Sequence, residues 1–201
     1  MSQLRRLILV RHGETEANSS VRFHGATDVA LSEEGRAQVR SARWALRREV
    51  IDLVVASPMR RAWQAAHILT NGAELVLDGD FREVDFGRWE GLTAEEIRAQ
   101  DPILYEDWQV RAPGFEYPQG EPRRHFRERI ARGLRRIVEG DVANALIVAH
   151  KGVIRVVAES LVGTPLADGA PELGGIVLIS RNVDGTWYIG RRGSEPEGGA
   201  G

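Results

Sequence analysis

The stretch Leu7-Ile8-Leu9-Val10-Arg11-His12-Gly13-Glu14-Thr15 constrains this chain more than any other. Four consecutive apolar residues, cut off by a basic pair and a glycine, describe a strand covered on both faces. In open α/β sheets, ligands gather beyond the C-terminal ends of parallel strands. Arg11 and His12 are then side chains delivered to one spot by a rigid element. Taken alone, the pair would equally describe a surface turn. What decides is whether other strands end in the same way.

They do. Ala145-Leu146-Ile147-Val148-Ala149-His150 is a second apolar run ending in histidine, followed by Lys151-Gly152 and a helix to about Val162. Val50 to Ala56 is a strand ending at Ser57-Pro58, with Pro58 where a helix begins and its missing N–H does no harm. That helix, Met59 to Leu69, carries Arg60 and Arg61 in its first turn. Basic residues there oppose the helix dipole, and local conflicts of this kind collect at functional sites.

The connecting segments complete the outline. Glu14 to Val29 is a long polar connection holding Asn18, Arg22, His24, Gly25 and Asp28, and long ordered loops are often functional. Ser32 is a candidate N-cap for a helix to about Arg48, with Ala37, Val39, Ala42, Trp44 and Leu46 supplying its apolar side. Leu75-Val76-Leu77 is a short strand, and residues 81–91 mix acids, aromatics and glycines around Glu83. Thr93 caps a short helix through Ala99. From about Asp101 to Glu121 the chain reads as an irregular or weakly helical lid, spanning about 93–121 with that helix, in which Tyr105, Trp108, Phe115 and Tyr117 serve mainly to pack the lid down. Pro122 to Glu139 is an amphipathic helix with Phe126, Ile130, Leu134, Ile137 and Val138 as its stripe and a solvated basic face. Ile176–Ile179 and Thr186–Ile189 are closing strands joined at Asp184-Gly185. Residues 191–201, rich in glycine and charge, are expected to be a disordered tail.

The recurring strand–helix order implies an α/β protein: one domain over residues 1–190, with a mostly parallel central sheet and helices on both faces. A chain of 201 residues buries a good core without metals or disulfides. Its 29 acidic and 27 basic residues leave a formal charge of −2, which favours neither a nucleic-acid partner nor a polybasic membrane surface. With no cysteine, thiol chemistry and cysteine-ligated metal sites are excluded. No apolar run reaches membrane-spanning length and no leader pattern precedes the first strand, so a cytoplasmic location is expected.

In such an architecture His12, the Ser57–Arg61 segment, Glu83 and His150 all lie just past strand ends and can converge. Two histidines, two or more arginines and one carboxylate make a cationic pocket with a single acid, which suits a phosphate monoester. Arg11 and Arg61 offer planar, permanently charged donors for phosphoryl oxygens. A neutral His12 imidazole can attack phosphorus in line, giving a phosphohistidine. Glu83 can protonate the leaving oxygen and then activate water. His150, held protonated beside the dianion, can stabilise transition-state charge. Positioning and charge dominate phosphoryl transfer, so this chemistry needs no metal and no other cofactor in principle.

These residues stand in blocks that resemble the histidine phosphatase superfamily, the phosphoglycerate mutase-like proteins. Leu9 to Thr15 with Asn18 is similar to its signature, and Arg22-Phe23-His24-Gly25 with Asp28, Leu31 and Gly35 to its second block. Ser57-Pro58-Met59-Arg60-Arg61-Ala62 resembles the third, Arg82 to Gly91 the acid-bearing block, and Ala149-His150-Lys151-Gly152-Val153-Ile154-Arg155 the last. Five blocks in order cover most of the chain. The resemblance implies a three-layer α/β/α sandwich with His12 as the phosphohistidine nucleophile and Glu83 as proton donor. It implies that Arg11, Arg61 (rather than Arg60) and His150 hold the phosphoryl group, with Asn18 assisting and His24 and Lys151 around it. A homodimer through an edge strand or helix is common among relatives. His24 stands where glutamine is usual, Ala65 where threonine is common and Lys151 where a second glycine is frequent; none of these departures removes a catalytic group.

The reading is a metal-independent phosphatase of the small bacterial type acting on small phosphate monoesters. The alternative is a 2,3-bisphosphoglycerate-dependent phosphoglycerate mutase, but relatives of that type carry a longer insertion between the acid and the second histidine than the compact Glu83–His150 segment here. A non-catalytic phospho-ligand binder is a third reading, and it leaves a nucleophile and an acid without purpose.

Overall fold

The computed structural model describes residues 3–166 and 170–190, so the tail expected at 191–201 lies outside the described residues. Six strands form one sheet: β1 (Arg6–Arg11), β2 (Leu53–Ala56), β3 (Val76–Leu77), β4 (Asn144–Ala149), β5 (Ile176–Arg181) and β6 (Trp187–Gly190). Their order is β3-β2-β4-β1-β5-β6. β3, β2, β4 and β1 run parallel, while β5 is antiparallel to β1 and β6 to β5. The closing pair is a hairpin turning at Asp184-Gly185, where Gly185 takes φ 90°. The mostly parallel sheet expected from the sequence is present.

Helices cover both faces. α1 (Glu33–Leu46) and α2 (Arg60–Thr70) pack on one side, α5 (Arg123–Val138) and α6 (Lys151–Val162) on the other. The period-2 geometry of β1 explains why its apolar run is unbroken. Leu7 and Leu9 enter the cluster built by Phe126, Ile130, Val153 and Val157, while Ile8 and Val10 enter that of Val39, Ala42, Ala66 and Leu69. All four are fully buried. Two more helices, α3 (Ala94–Gln100) and α4 (Pro102–Gln109), lie in the segment between the sheet's two halves. Among the described residues no helix is long and apolar enough to cross a membrane.

Several local expectations change. Ser32 caps α1 as anticipated, accepting from Gly35 N–H at 3.1 Å, but Trp44 and Ala37 do not join its apolar side. The buried face is Gly35, Val39, Ala42 and Leu46, and Trp44 is 69% exposed under the Arg47 guanidinium. At 100° per residue, position 44 points away from 42 and 46. β2 begins at Leu53 rather than Val50, and α2 at Arg60 rather than Met59, with Pro58 just outside it. The lid is not irregular throughout: Pro102 opens the true helix α4, and a capping box between Thr93 and Glu96 starts α3. Its aromatics form a cluster around buried Trp89, stacked on Phe115 at 5.6 Å, whose indole N–H donates to Asp101 at 2.8 Å. Packing supplies α4 with what an eight-residue helix lacks in intrinsic stability.

Candidate active site

Strand register brings the candidate groups together. Arg11 is paired with Ala149 and Ala56 with Val148, so β1, β4 and β2 end at one level. The residues just beyond them are His12, His150 and Ser57, and all three are buried. The His12 and His150 rings meet edge to face with centroids 5.1 Å apart.

Each imidazole is held in one tautomer by its partner. His12 Nδ1–H donates to its neighbour's carbonyl, Gly13 O, at 2.7 Å, which leaves the lone pair on Nε2. Gly13 cannot be replaced freely, because a Cβ there would lie 2.2 Å from Gly35 O. At His150 the Arg61 Nε–H donates to Nδ1 at 3.3 Å, so Nε2 carries the proton and donates to Ser57 Oγ at 2.8 Å. Burial, followed by the Arg61 charge, holds both histidines well below their ordinary pKa. Desolvation and the nearby guanidinium groups oppose a further positive charge on His150, so the imidazolium expected from the sequence is one that the charge of a bound dianion would have to support.

Arg61 is fully buried although it sits in the first turn of α2. Its Nη1 donates to Thr27 O at 2.8 Å, and its Nη2 to His24 O and Gly25 O at 2.9 Å each. Arg60, by contrast, is exposed and meets Asp28 only through its backbone N–H, at 2.7 Å. Arg11 donates from Nη1 to Pro171 O at 3.0 Å, and its Nε is buried with no hydrogen-bond partner among the described residues. Burial lowers the pKa of both arginines, while Glu83 acts in the opposite sense.

Glu83 is buried at the start of α6. Its carboxylate accepts from Val84 N–H at 3.0 Å and from Gly152 N–H at 2.9 Å, which ties it to the first turn of α6, two residues past His150 in the chain. Lys151 is the first residue of α6, and its pKa is lowered by burial and then by Arg11. His24 is half-buried, with Nε2–H donating to Ala17 O at 2.8 Å and a buried Nδ1 that has no partner among the described residues. Asn18 is not drawn in: it is exposed, takes φ 58° in the turn after Thr15, and its side chain bonds to none of these groups. Among the described residues no group of three or more His, Asp or Glu side chains is arranged to hold a metal ion.

Reading along the chain placed Ser57 among the converging residues without a role of its own, and it missed the other supports. Ser57 orients His150. The Glu14 carboxylate accepts from the Thr15 and Ser20 N–H groups and shapes the loop after His12. Arg129 donates to the carbonyls of Asp80, Arg82 and Glu83 and to both oxygens of Glu121, pinning the acid-bearing segment to α5. Arg129 is half-buried, and its carbonyl partners 46 to 49 residues away leave no local signal of that, whereas buried Glu14 meets N–H groups close by in the chain.

The sheet order, the covered faces and two histidines with an arginine pair and a carboxylate beyond the strand ends describe an α/β/α sandwich with an anion-binding site. The chain belongs to the histidine phosphatase superfamily (branch 1), whose family model matches residues 7–180. It is 32% identical over 184 residues to a glucosyl-3-phosphoglycerate phosphatase of Mycolicibacterium vanbaalenii, covering 87% of this chain and 81% of that protein. It is also 32% identical over 169 residues to the adenosylcobalamin/alpha-ribazole phosphatase of Salmonella typhimurium, covering 81% and 82%. A crystal structure of a putative alpha-ribazole-5'-P phosphatase from Escherichia coli superposes with a TM-score of 0.80 at 26% identity, covering 92% of this chain and 94% of that one. A bifunctional protein of Mycobacterium tuberculosis is 39% identical over 149 residues, and there the match spans 72% of this chain but only 41% of the relative.

Proposed function

We propose that the site hydrolyses small phosphate monoesters through a phosphohistidine at His12, without a metal. The observation that carries this reading is the His12 tautomer: a buried, neutral imidazole whose Nδ1–H is tied to Gly13 O presents a nucleophilic Nε2. Arg11, with its unpartnered buried Nε–H, and Arg61 supply charged donors for the phosphoryl oxygens, and His150 joins them when its Nε2–H exchanges Ser57 Oγ for a phosphoryl oxygen. His12 Nε2 attacks phosphorus as the ester P–O bond breaks, and Glu83 in its acid form gives its proton to the departing oxygen. Glu83, now a carboxylate, takes a proton from water, whose oxygen attacks phosphorus as the P–N bond breaks. Phosphate leaves and His12 is restored. His24, through its free Nδ1 acceptor, and Lys151 flank the ester group, and Asn18 joins only if its turn closes on the ligand.

The relatives named for glucosyl-3-phosphoglycerate and for alpha-ribazole phosphate are equally identical to this chain, so the reading extends to the ester class and not to one ester. The test is phosphate release from a panel of esters in EDTA, including those two and phosphoserine, with a mutase assay on 3-phosphoglycerate alongside. Metal-free release from several esters, abolished in a folded His12→Ala, is expected, with an acid-labile phosphoryl label on His12 after rapid quenching. Isomerisation that needs 2,3-bisphosphoglycerate, with little hydrolysis, would establish the mutase alternative. Near-wild-type turnover in His12→Ala would overturn the mechanism.

A further inference from the structure

The segment His24–Thr27 is gripped from two sides. Its carbonyls at 24, 25 and 27 accept from Arg61. Its N–H groups at 25, 26 and 27 all point the other way, onto the single carboxylate of Glu90. Gly25 N–H lies 3.0 and 3.1 Å from the two oxygens, Ala26 N–H at 2.9 Å and Thr27 N–H at 3.2 Å. Thr27 Oγ adds a 2.6 Å bond, and Phe86 N–H donates at 3.0 Å from the acid-bearing block. Successive backbone N–H groups curled around one point form an anion nest, and here a side chain of the protein fills it.

We infer that Glu90 is a positioning residue for Arg61, acting through the peptide groups of residues 24–27. In two peptide groups, 24–25 and 25–26, the N–H donates to Glu90 while the C=O accepts from Arg61, so each is polarised in the same sense by the anion on one side and the cation on the other. The Thr27 N–H and hydroxyl anchor the end of the segment from which the Thr27 carbonyl meets Arg61. Arg61 has five N–H donors, and four of them are committed in this way: Nε to His150, two on Nη2 and one on Nη1. The fork is thus aimed before a ligand arrives, and one N–H is left for a phosphoryl oxygen. Only glycine permits this layer at position 25, because a Cβ would fall 1.8 Å from Val84 O and 2.7 Å from Glu90 Oε1.

This inference rests on the phosphoryl-binding reading of Arg61, and a double-mutant cycle separates the two. Glu90→Gln keeps the shape but points an amide at the nest. It should lower kcat/KM on p-nitrophenyl phosphate about 10- to 100-fold, the scale of a misplaced catalytic group, and weaken orthovanadate binding measured by calorimetry in parallel. In an Arg61→Lys background, which lacks the fork, the same change should cost less than about threefold. Equal losses in the two backgrounds, or a folded Glu90→Gln within about threefold of wild type in both readouts, would overturn the inference. If Glu90→Gln does not fold, Thr27→Ala removes one bond of the nest. A loss in that variant that vanishes with Arg61→Lys supports the inference, and no loss refutes it. If the wild type hydrolyses no monoester, the functional reading fails, while the orthovanadate arm still decides the role of Glu90.

Discussion

Lowering the pH from 7.5 to 5.5 should destabilise this protein by an amount that two buried histidines set. Burial and the Arg61 charge hold His12 and His150 well below the ordinary histidine pKa in the folded chain, whereas unfolding returns them to about 6.5. Their contribution to stability is fully present above the unfolded value. As the pH falls below it, the unfolded chain takes up protons that the native chain refuses, so the equilibrium shifts toward unfolding. For one such group at pH 5.5 the effect is at most RT ln(1 + 10), about 1.4 kcal/mol, and for the pair at most about 2.8 kcal/mol, the limit reached when the folded chain takes up no proton at that pH. Urea unfolding at pH 7.5, 6.5 and 5.5 measures it directly. A His12→Gln/His150→Gln variant should lose most of the dependence. Saturating inorganic phosphate should make the wild-type loss shallower, since an imidazolium beside a dianion is tolerated. Stability that is level between pH 7.5 and 5.5, or a loss undiminished in the double variant, would refute the reasoning.

Three further outcomes are expected. Glu83→Gln should slow hydrolysis of alkyl phosphates far more than of p-nitrophenyl phosphate, by about 10²-fold or more against a few-fold, because only a poor leaving group needs the acid; equal losses would remove Glu83 from that role. Gly13→Ala, whose Cβ meets the Gly35 backbone with no flexible side chain to yield, should cost about 3 kcal/mol in denaturant unfolding and displace the carbonyl that fixes the His12 tautomer. Arg129→Met leaves Glu121 and three carbonyls without their shared donor and should cost about 3 kcal/mol, read as a fall in thermal midpoint of several degrees.

Much of the molecule is legible in its sequence. The unbroken apolar runs of β1 and β4 can be satisfied only between two helical layers, so the sandwich and the placement of His12 and His150 beyond strand ends follow from short-range pattern. The stripe of α5 and the Ser32 and Thr93 caps are local in the same sense, with every determinant within a turn or two of the residue concerned. Amphipathic spacing, read too generously, also put Trp44 inside when the helix turns it out. What tertiary structure decided is electrostatic and long-range. The lowered pKa of His150 comes from its burial and then from Arg61, 89 residues away, and the aim of Arg61 depends on carbonyls 34 to 37 residues back. Those carbonyls in turn answer to Glu90, a further 63 to 65 residues along the chain. A sequence pattern specifies which side chains reach the end of a sheet. Protonation states and orientations there arise from desolvation and from hydrogen bonds between segments that meet only when the chain has folded.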